Sequence, residues 1–345
     1  MRATLVRAHG GLEALESVTL PDPVPGPGEI LVEVHACALN HLDLWVRRGV
    51  PGHSFPLPLI PGSDVAGVVR ELGPGAAGVS PGDAVVIAPA VSCGRCLACL
   101  SGRDQHCEAY AILGEHRHGG CAELLSVPAA NVVKKPAALG FVEAAAFGVS
   151  SLTAWHMLVV RAVVRPAEVV LVVGAGSGVG SAAIQIAKLH GARVIATSSS
   201  ADKRTRALEL GADAVLDSAD PELAHQVRAL SDGRGADIVV EHVGAATWET
   251  SLRCLAREGR LVTCGATTGA GVRLDLRHLF FKNQSVLGST MGSKGEFRHV
   301  IGLAGRGLLR PVVGRVLPMA ETATAQRLLE ERAIFGKIVL ALNGE

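Results

Sequence analysis

The sequence has few aromatic residues, no excess of either charge and no long apolar run. Phe, Trp and Tyr make up 3% of its 345 residues, and 33 Lys and Arg nearly balance 32 Asp and Glu. Basic residues that are spread along a chain of formal charge +1 do not form the positive surface that nucleic acids or anionic membranes bind. We therefore expect a small-molecule substrate, with no nucleic-acid and no membrane partner.

Targeting and membrane-spanning signals are also missing. The first segment, MRATLVRAHGGLEALESV, has no continuous apolar core of the kind that a secretory signal needs. No segment approaches the apolar length of a membrane-spanning helix. We expect a cytoplasmic protein, and in that reducing compartment clustered cysteines are metal ligands or catalytic groups more often than disulfides.

The distribution of apolar residues changes along the chain. Up to about residue 135, short β-branched runs broken by Gly and Pro predict a partly open β-barrel; they are EILVEVHACAL, DVAGVVREL, PGDAVVIAPA and AELLSVPA. From about residue 150, apolar strands alternate with helices, which predicts a parallel sheet covered on both faces. The predicted strands are 169–173, 193–197, 214–217, 237–241, 260–264 and 285–289, and the predicted helices between them are 181–190, 202–210, 222–230 and 246–256.

These patterns predict an α/β protein of two domains. The first is expected to cover residues 1–149 and to be completed by 296–345, since the final AQRLLEERAIFGKIVLAL adds a helix and a strand that return to it. The second, residues 150–295, is expected to be a doubly wound nucleotide-binding domain of the Rossmann type.

A glycine-rich turn joins the first strand of the second domain to its first helix. In VVLVVGAGSGVGSAAIQIAK, glycines allow a tight turn and let backbone N–H groups approach a pyrophosphate, and the helix N-terminus adds positive partial charge. The flanking strand, helix and second strand favour dinucleotide binding over a merely tight turn. The candidate contacts are Gly174, Gly176, Ser177, Gly178, Val179 and Gly180.

The end of the next strand bears on the choice between NAD and NADP. Sites selective for NAD place Asp or Glu there, whereas this chain has Ser198, Ser199 and Ser200, followed by Lys203 and Arg204. Hydroxyl and ammonium donors without a repelling carboxylate favour NADP(H) over NAD(H), with Ser198, Ser199 and Lys203 as contacts. The alternative is that Ser200 only caps the following helix and the basic residues are solvated.

Four of the eight cysteines lie within SCGRCLACLSGRDQHC. Their spacing, C-x2-C-x2-C-x7-C, suits one tetrahedral Zn²⁺ whose four positions are all filled by sulfur, which makes the site structural. An iron–sulfur cluster or unligated thiols are the alternatives, although Glu108 stands where the short bacterial cluster motif has proline. The predicted ligands are Cys93, Cys96, Cys99 and Cys107.

Together these features resemble the zinc-type alcohol dehydrogenases of the medium-chain dehydrogenase/reductase superfamily. The resemblance covers essentially the whole chain and implies a GroES-like catalytic domain, a Rossmann domain and a homodimer or homotetramer. It also implies four further cofactor contacts: His41 and Lys337 at the pyrophosphate, and Val243 and Gly265 beside the nicotinamide.

The chain departs from that family at the catalytic zinc. Asn40, Ser63 and the apolar region around Val149 stand where the family has a Cys, a His and a Cys ligand. Neutral amide and hydroxyl groups are poor zinc ligands, so we expect one structural zinc and no catalytic zinc. This pattern resembles the metal-free quinone oxidoreductase and enoyl reductase branch of the superfamily.

The expected function is hydride transfer between NAD(P)(H) and a small carbonyl or alcohol, quinone or enone. Asn40, Ser63 and Asp43 are the candidate catalytic residues, although Asn40 and Ser63 could instead fasten a loop and Asp43 could bond backbone amides. The alternatives are a zinc-dependent alcohol dehydrogenase with atypical ligands and an NADPH-binding protein without turnover. A metal site rebuilt from His35, Cys37 and His41 is less expected than their packing in the barrel.

Overall fold

The computed structural model describes residues 1–342, which divide into two units. The first comprises Met1–Ser150 and the chain from Gly292 onward, and the second comprises Ser151–Met291. The strands, in chain order, are β1 Arg2–Val6, β2 Leu15–Thr19, β3 Glu29–Ala38, β4 Asp64–Leu72, β5 Ala84–Ile87, β6 Ala90–Val91, β7 Ala111–Ile112, β8 Leu124–Pro128, β9 Val132–Lys134, β10 Val169–Val172, β11 Arg193–Ser198, β12 Ala214–Asp217, β13 Ala236–Glu241, β14 Leu255–Thr263, β15 Ser285–Gly288, β16 Val313–Pro318 and β17 Lys337–Ala341.

The α-helices are numbered in the same way as the strands. In chain order they are α1 His41–Arg48, α2 Leu97–Leu100, α3 Phe141–Ala145, α4 Gly148–Trp155, α5 Gly178–Leu189, α6 Ala201–Glu209, α7 Leu223–Ala229, α8 Trp248–Cys254, α9 Leu276–Lys282, α10 Lys294–Gly305 and α11 Thr322–Glu330. A π-helical segment, His156–Arg161, continues α4. Among residues 1–342, no helix combines the length and the apolar character needed to cross a membrane.

The first unit is built on a seven-stranded sheet. Its order is β16-β17-β3-β4-β5-β9, and β8 also pairs with β3. The C-terminal strand β17 runs antiparallel to β3, with Leu340 opposite Cys37. Alternating apolar side chains of these strands, including Val32, Val65 and Ile338, form the core of the unit.

The second unit contains a six-stranded parallel sheet of order β12-β11-β10-β13-β14-β15. All four residues of β10 are buried, as expected for a strand covered by helices on both faces. The predicted strands and helices of this unit are confirmed to within a few residues, except that β14 begins at Leu255, before the predicted 260.

One helix of the second unit, α9, was not predicted. Its sequence has apolar residues at helical spacing, Leu276, Leu279 and Phe280, yet none of the residues of this short helix is buried. The predicted α/β class, with a doubly wound parallel sheet in the second unit, is confirmed.

Candidate active site and zinc lobe

The glycine-rich turn lies between the carboxyl end of β10 and the amino end of α5. Gly174 has φ +71°, a conformation that favours glycine, and the turn is tied to β11 because Ala175 N–H donates to the Thr197 carbonyl at 2.9 Å. A Cβ at Gly180 would overlap the Gly174 carbonyl oxygen, so glycine lets the helix approach the turn. Ser177 caps α5, since its Oγ accepts the Gly180 N–H at 2.8 Å.

The other predicted cofactor residues of the second unit lie at the same edge of its sheet. Parallel strands end at one edge, and β10 is flanked there by β11 and β13, where the order of the strands reverses direction. Open parallel sheets bind their ligands at such a switch point. The structure places at these strand ends Ser198, Ser199, Lys203, Val243 and Gly265, together with the glycine-rich turn.

Several polar groups of the turn between β11 and α6 have local partners. Ser200 caps α6 by accepting the Lys203 N–H at 3.5 Å, which agrees with the capping alternative for that serine. Arg204 donates to the Ser198 carbonyl at 3.1 Å and pairs with Asp217 at 3.0 Å. The Arg204 guanidinium is therefore held between the Ser198 carbonyl of β11 and Asp217 of β12.

Two residues of the sheet edge were not assigned a role from sequence. The buried Glu241 carboxylate accepts N–H groups of Val243 and Gly244 at 2.6 and 3.0 Å and thereby shapes the turn after β13. His242 Nε2 lies 2.8 Å from Ser177 Oγ, and burial lowers the pKa of His242 while Glu241 opposes that shift. A neutral imidazole can accept the Ser177 proton while that hydroxyl accepts from Gly180, so His242 helps to fix the glycine-rich turn.

In the first unit, Asn40, Asp64 and Lys337 form a buried polar cluster. Asn40 Nδ2 donates to Asp64 Oδ2 at 2.9 Å, Lys337 Nζ donates to the same oxygen at 2.9 Å, and Lys337 Nζ also donates to Asn40 Oδ1. The side chains of Lys337 and Asp64 are 5% and 0% exposed. The sequence predicted Asn40 and Lys337 as separate site residues, but a pattern of local spacing has no means of pairing residues 297 positions apart.

The third predicted zinc-ligand position joins the same cluster through its backbone. Val149 N–H donates to Asp64 Oδ1 at 2.6 Å, and a Cβ at Gly148 would overlap the Asp64 carboxylate. The Asp64 carboxylate thus accepts three hydrogen bonds, from Asn40 Nδ2, Lys337 Nζ and the Val149 N–H. The structure brings the Asn40 and Val149 positions together around a carboxylate and an ammonium group.

Asp43 fastens the loop before β4 to the start of α1. Its carboxylate accepts the Asn40 N–H and the Gly62 N–H, both at 2.7 Å. Burial raises the pKa of Asp43 to about 6, opposed by these backbone bonds and by Lys337. This agrees with the alternative in which Asp43 bonds backbone amides.

Two further predicted residues lie beside this cluster in the chain. Ser63 is fully buried, and within the described residues its hydroxyl has no hydrogen-bond partner. His41 is the first residue of α1. The roles of Ser63 in catalysis and of His41 in cofactor binding stay predictions.

The four clustered cysteines converge as the sequence predicts for a metal site. Their sulfur atoms all lie within 4.8 Å of one another, with Cys99 Sγ at 3.9 Å from Cys93 Sγ and 3.5 Å from Cys96 Sγ. Four Zn–S bonds of about 2.3 Å in a tetrahedron separate the sulfur atoms by about 3.8 Å. The donor set therefore fits one Zn²⁺ with no position left for substrate.

Backbone amides favour the thiolate form of Cys93. Hydrogen bonds from the backbone of Arg95 and Cys96 lower the pKa of the Cys93 thiol to about 6. Cys107 Sγ accepts N–H bonds from Cys93 and Ala109, each at 3.3 Å. These are the second-sphere contacts that orient metal ligands.

The base of the lobe is attached to α10. Lys294 Nζ pairs with Asp104 at 2.7 Å and also donates to Ser92 Oγ, and the Lys294 N–H donates to the same carboxylate at 3.0 Å. Lys294 thus holds both Ser92 and Asp104 of the lobe.

Comparisons with known proteins agree with this architecture. The family model of the alcohol dehydrogenase GroES-like domain matches residues 26–137, and that of zinc-binding dehydrogenase matches 178–306. An NAD-dependent alcohol dehydrogenase of Sulfolobus acidocaldarius is 34% identical over 99% of this chain and 100% of its own, and the quinone oxidoreductase of Homo sapiens is 29% identical over 99% and 98%. The crystal structure of an NAD-dependent alcohol dehydrogenase superposes with a TM-score of 0.96 at 51% identity and covers 99% of this chain and 100% of that one. The chain is therefore an oxidoreductase that belongs to the family of zinc-type alcohol dehydrogenases and quinone oxidoreductases, within the medium-chain dehydrogenase/reductase superfamily.

Proposed function

We propose that this chain transfers hydride between NADP(H) and a small carbonyl, quinone or enone, with zinc at the cysteine lobe and no zinc at the position of Asn40, Ser63 and Val149. In this proposal the first unit is the catalytic domain and the second binds the dinucleotide. The Asn40–Asp64–Lys337 cluster is the main support for this proposal. In it, charged and amide groups occupy the position where the family's alcohol dehydrogenases hold a catalytic metal.

The cluster gives the Asn40 amide one fixed orientation. Its oxygen accepts from Lys337 and one of its N–H bonds points to Asp64, which leaves the second N–H as a donor. The adjacent ammonium group polarises the amide and strengthens that donor. A carbonyl oxygen that gains negative charge during hydride transfer would be stabilised by this N–H, in place of a metal ion.

The same contacts disfavour a catalytic zinc bound by Asp64. Both carboxylate oxygens already accept hydrogen bonds, and the cationic Lys337 Nζ lies 2.9 Å from one of them. A divalent cation would have to displace an ammonium group that is almost completely buried.

The second unit supplies the residues that would hold the dinucleotide. The amide groups of the glycine-rich turn and the amino end of α5 would bind the pyrophosphate, with the turn fixed by Ser177 and His242. Ser198, Ser199 and Lys203 would face the adenosine ribose, where the absence of a carboxylate at the end of β11 favours a 2′-phosphate. When bound, the nicotinamide supplies the hydride acceptor or donor.

A cofactor-oxidation screen tests the proposed reaction. NADPH and NADH are each offered with a panel of quinones, enones and aldehydes, and we expect turnover of at least one class with a higher kcat/KM for NADPH. Asn40→Ala should lower kcat by about 10²–10³, the usual loss for one donor to a developing oxyanion, with a small change in the KM for NADPH. Ser63→Ala is the matched variant, and we expect a smaller loss because the Ser63 hydroxyl is enclosed.

Three results would contradict the proposal. Equal rates for Asn40→Ala and the wild type would remove Asn40 from catalysis. Oxidation of simple alcohols that requires zinc and loses that requirement in Asp64→Asn would support a zinc-dependent dehydrogenase with atypical ligands. Tight NADPH binding without turnover of any substrate class would support a binding protein.

The proposal also covers the location, the oligomeric state and the partners of the enzyme. We propose a cytoplasmic homodimer or homotetramer acting on a small molecule, as the family resemblance implies, with neither nucleic acid nor membrane as a partner. Light scattering during size-exclusion chromatography would give the mass to compare with the 35.6 kDa chain. A monomer would contradict this part alone.

A further inference from the structure

Three side chains of the first unit, none of which belongs to the Asn40 cluster or to the cysteine lobe, converge on one another. His53 Nε2 lies 3.3 Å from Glu115 Oε1, and His116 Nδ1 lies 3.7 Å from Glu115 Oε2. One ligand atom from each residue lies within 4.8 Å of the others. The two imidazole rings are edge-on, with centroids 5.9 Å apart.

The backbone holds these residues in two tight turns. His53 N–H donates to the Val50 carbonyl at 3.0 Å, and the intervening Gly52 has φ +79°. The N–H groups of Glu115 and His116 both donate to the Ile112 carbonyl, at 3.2 and 2.9 Å. The convergence therefore rests on hydrogen-bonded turns rather than on the side chains alone.

The second turn is also fixed by packing. Gly114, with φ +77°, lies so close to Gly62 that a Cβ would stand 2.7 Å from the Gly62 nitrogen. Glu115, which follows it, has a side chain that is only 12% exposed. A mostly buried carboxylate is thus directed at two imidazoles by a backbone that has little freedom.

His116 Nδ1 and the Glu115 carboxylate present acceptors to each other. The Ile112 N–H donates to His116 Nδ1 at 3.2 Å, so that nitrogen carries no proton and its single lone pair is engaged in this hydrogen bond, which an ion bound there would displace. The same lone pair lies beside a carboxylate oxygen of Glu115. Two acceptors this close are stabilised when a cation lies between them, and two neutral imidazoles with a carboxylate form a common set of three protein ligands for zinc.

We propose that His53, Glu115 and His116 bind one divalent transition-metal ion of the zinc or cobalt class, with a fourth position open. Metal–nitrogen and metal–oxygen bonds of about 2.0–2.2 Å at tetrahedral angles separate ligand atoms by about 3.3–3.6 Å. The observed 3.3 and 3.7 Å are close to these separations, and an ion bound through His116 Nδ1 would replace the hydrogen bond from the Ile112 N–H. A nitrogen and oxygen ligand set binds such ions less tightly than four thiolates, so this ion should exchange while the cysteine-bound zinc stays. The inference does not depend on hydride transfer.

Metal titration of the intact protein tests the inference. The protein, with its cysteine-bound zinc retained, is freed of weakly held metal by a mild chelator and titrated with CoCl2 or ZnCl2 by calorimetry. We expect one further equivalent, and with cobalt an absorption spectrum of nitrogen and oxygen ligation without thiolate charge-transfer bands. Glu115→Gln and His116→Ala should each weaken this binding at least about tenfold, since loss of mere second-sphere contacts costs that much.

His118→Ala is the matched control, because His118 lies in the same loop but is absent from the three converging residues. Its affinity for the added ion should equal that of the wild type, and circular dichroism should show that all variants fold. Binding of no further equivalent, or binding of equal strength in Glu115→Gln and His116→Ala, would overturn the inference. Loss of turnover in the cofactor screen would leave the titration result unchanged, so the two proposals fail separately.

Discussion

The Asp64–Lys337 pair is expected to matter for stability as well as for chemistry. Both charges are almost completely withdrawn from water, and removal of one partner of a buried pair leaves the other without compensation. We predict that Lys337→Met lowers the free energy of unfolding of the first unit by about 3–5 kcal/mol, measured by urea denaturation. The double variant Asp64→Asn with Lys337→Met should lose less, because no buried charge remains.

An exposed ion pair provides the control for that measurement. Lys188 and Asp213 are 2.8 Å apart, and each side chain is 37% exposed. Lys188→Met should change stability by about 1 kcal/mol or less, as is usual for surface pairs. If Lys337→Met also lowered the free energy of unfolding by only about 1 kcal/mol, the buried pair would contribute no more to stability than an exposed pair.

Asp43 should give the first unit a distinctive pH dependence. Its pKa is raised by burial from 3.8 to about 6, so the folded state binds the proton more tightly than the unfolded state does. Stability is therefore favoured at low pH and falls as the pH rises from about 4 to about 6, by a maximum on the order of 3 kcal/mol. In Asp43→Asn this component should disappear, so urea denaturation at pH 4–8 should show a wild-type-minus-variant difference that changes only below about pH 6. Parallel pH curves would contradict it.

At the scale of elements, the cysteine lobe should depend on its metal while the sheet does not. Three of its four cysteines lie outside the core of the first unit, and the lobe is attached at its base by Lys294. We predict that Cys99→Ser removes zinc and makes residues 92–110 sensitive to limited proteolysis, with the rest of the chain intact. Cys264→Ser, outside the lobe, should retain one zinc per chain by elemental analysis. Retention of zinc in Cys99→Ser would contradict the four-thiolate site.

The turn between β11 and α6 should decide between the two dinucleotides. An Asp at position 199 would repel a 2′-phosphate and could accept a hydrogen bond from a ribose hydroxyl. We predict that Ser199→Asp lowers the ratio of kcat/KM for NADPH to that for NADH by at least about tenfold. Thr205→Asp adds the same charge on the exposed face of α6 and should change the ratio little. A wild type that already prefers NADH would contradict the assignment of this turn.

The elements were predictable where one local signal determines them. Near-continuous β-branched runs identify β10, β11 and β13, and the glycine turn identifies the start of α5. The pairing of Lys337 with Asp64 was not predictable, since it depends on β17 joining β3 and bringing together residues 273 positions apart. The convergence of His53 with Glu115 was missed for the same reason, because two turns far apart in sequence meet only in the folded unit.

At the scale of the whole molecule, the two units should lose structure in separate steps. Each has its own buried core, and units of this kind unfold with intermediates more often than in one transition. Buried thiols report on each core: Cys37 and Cys121 in the first unit and Cys254 in the second. We predict that, in increasing urea, a thiol-specific reagent modifies Cys254 at a different concentration from Cys37 and Cys121, as followed by mass spectrometry of peptides.

Added NADPH should then separate the contributions of the two units to cofactor binding. A ligand at one hundred times its Kd slows modification through unfolding by about a hundredfold in the unit that holds it. Cys254 should be protected to this extent, because the glycine-rich turn belongs to its unit. Cys37 should be protected as well if His41 and Lys337 contact the pyrophosphate, and that protection should be reduced in His41→Ala. Protection of Cys37 without protection of Cys254 would contradict the assignment of the second unit as the dinucleotide-binding domain.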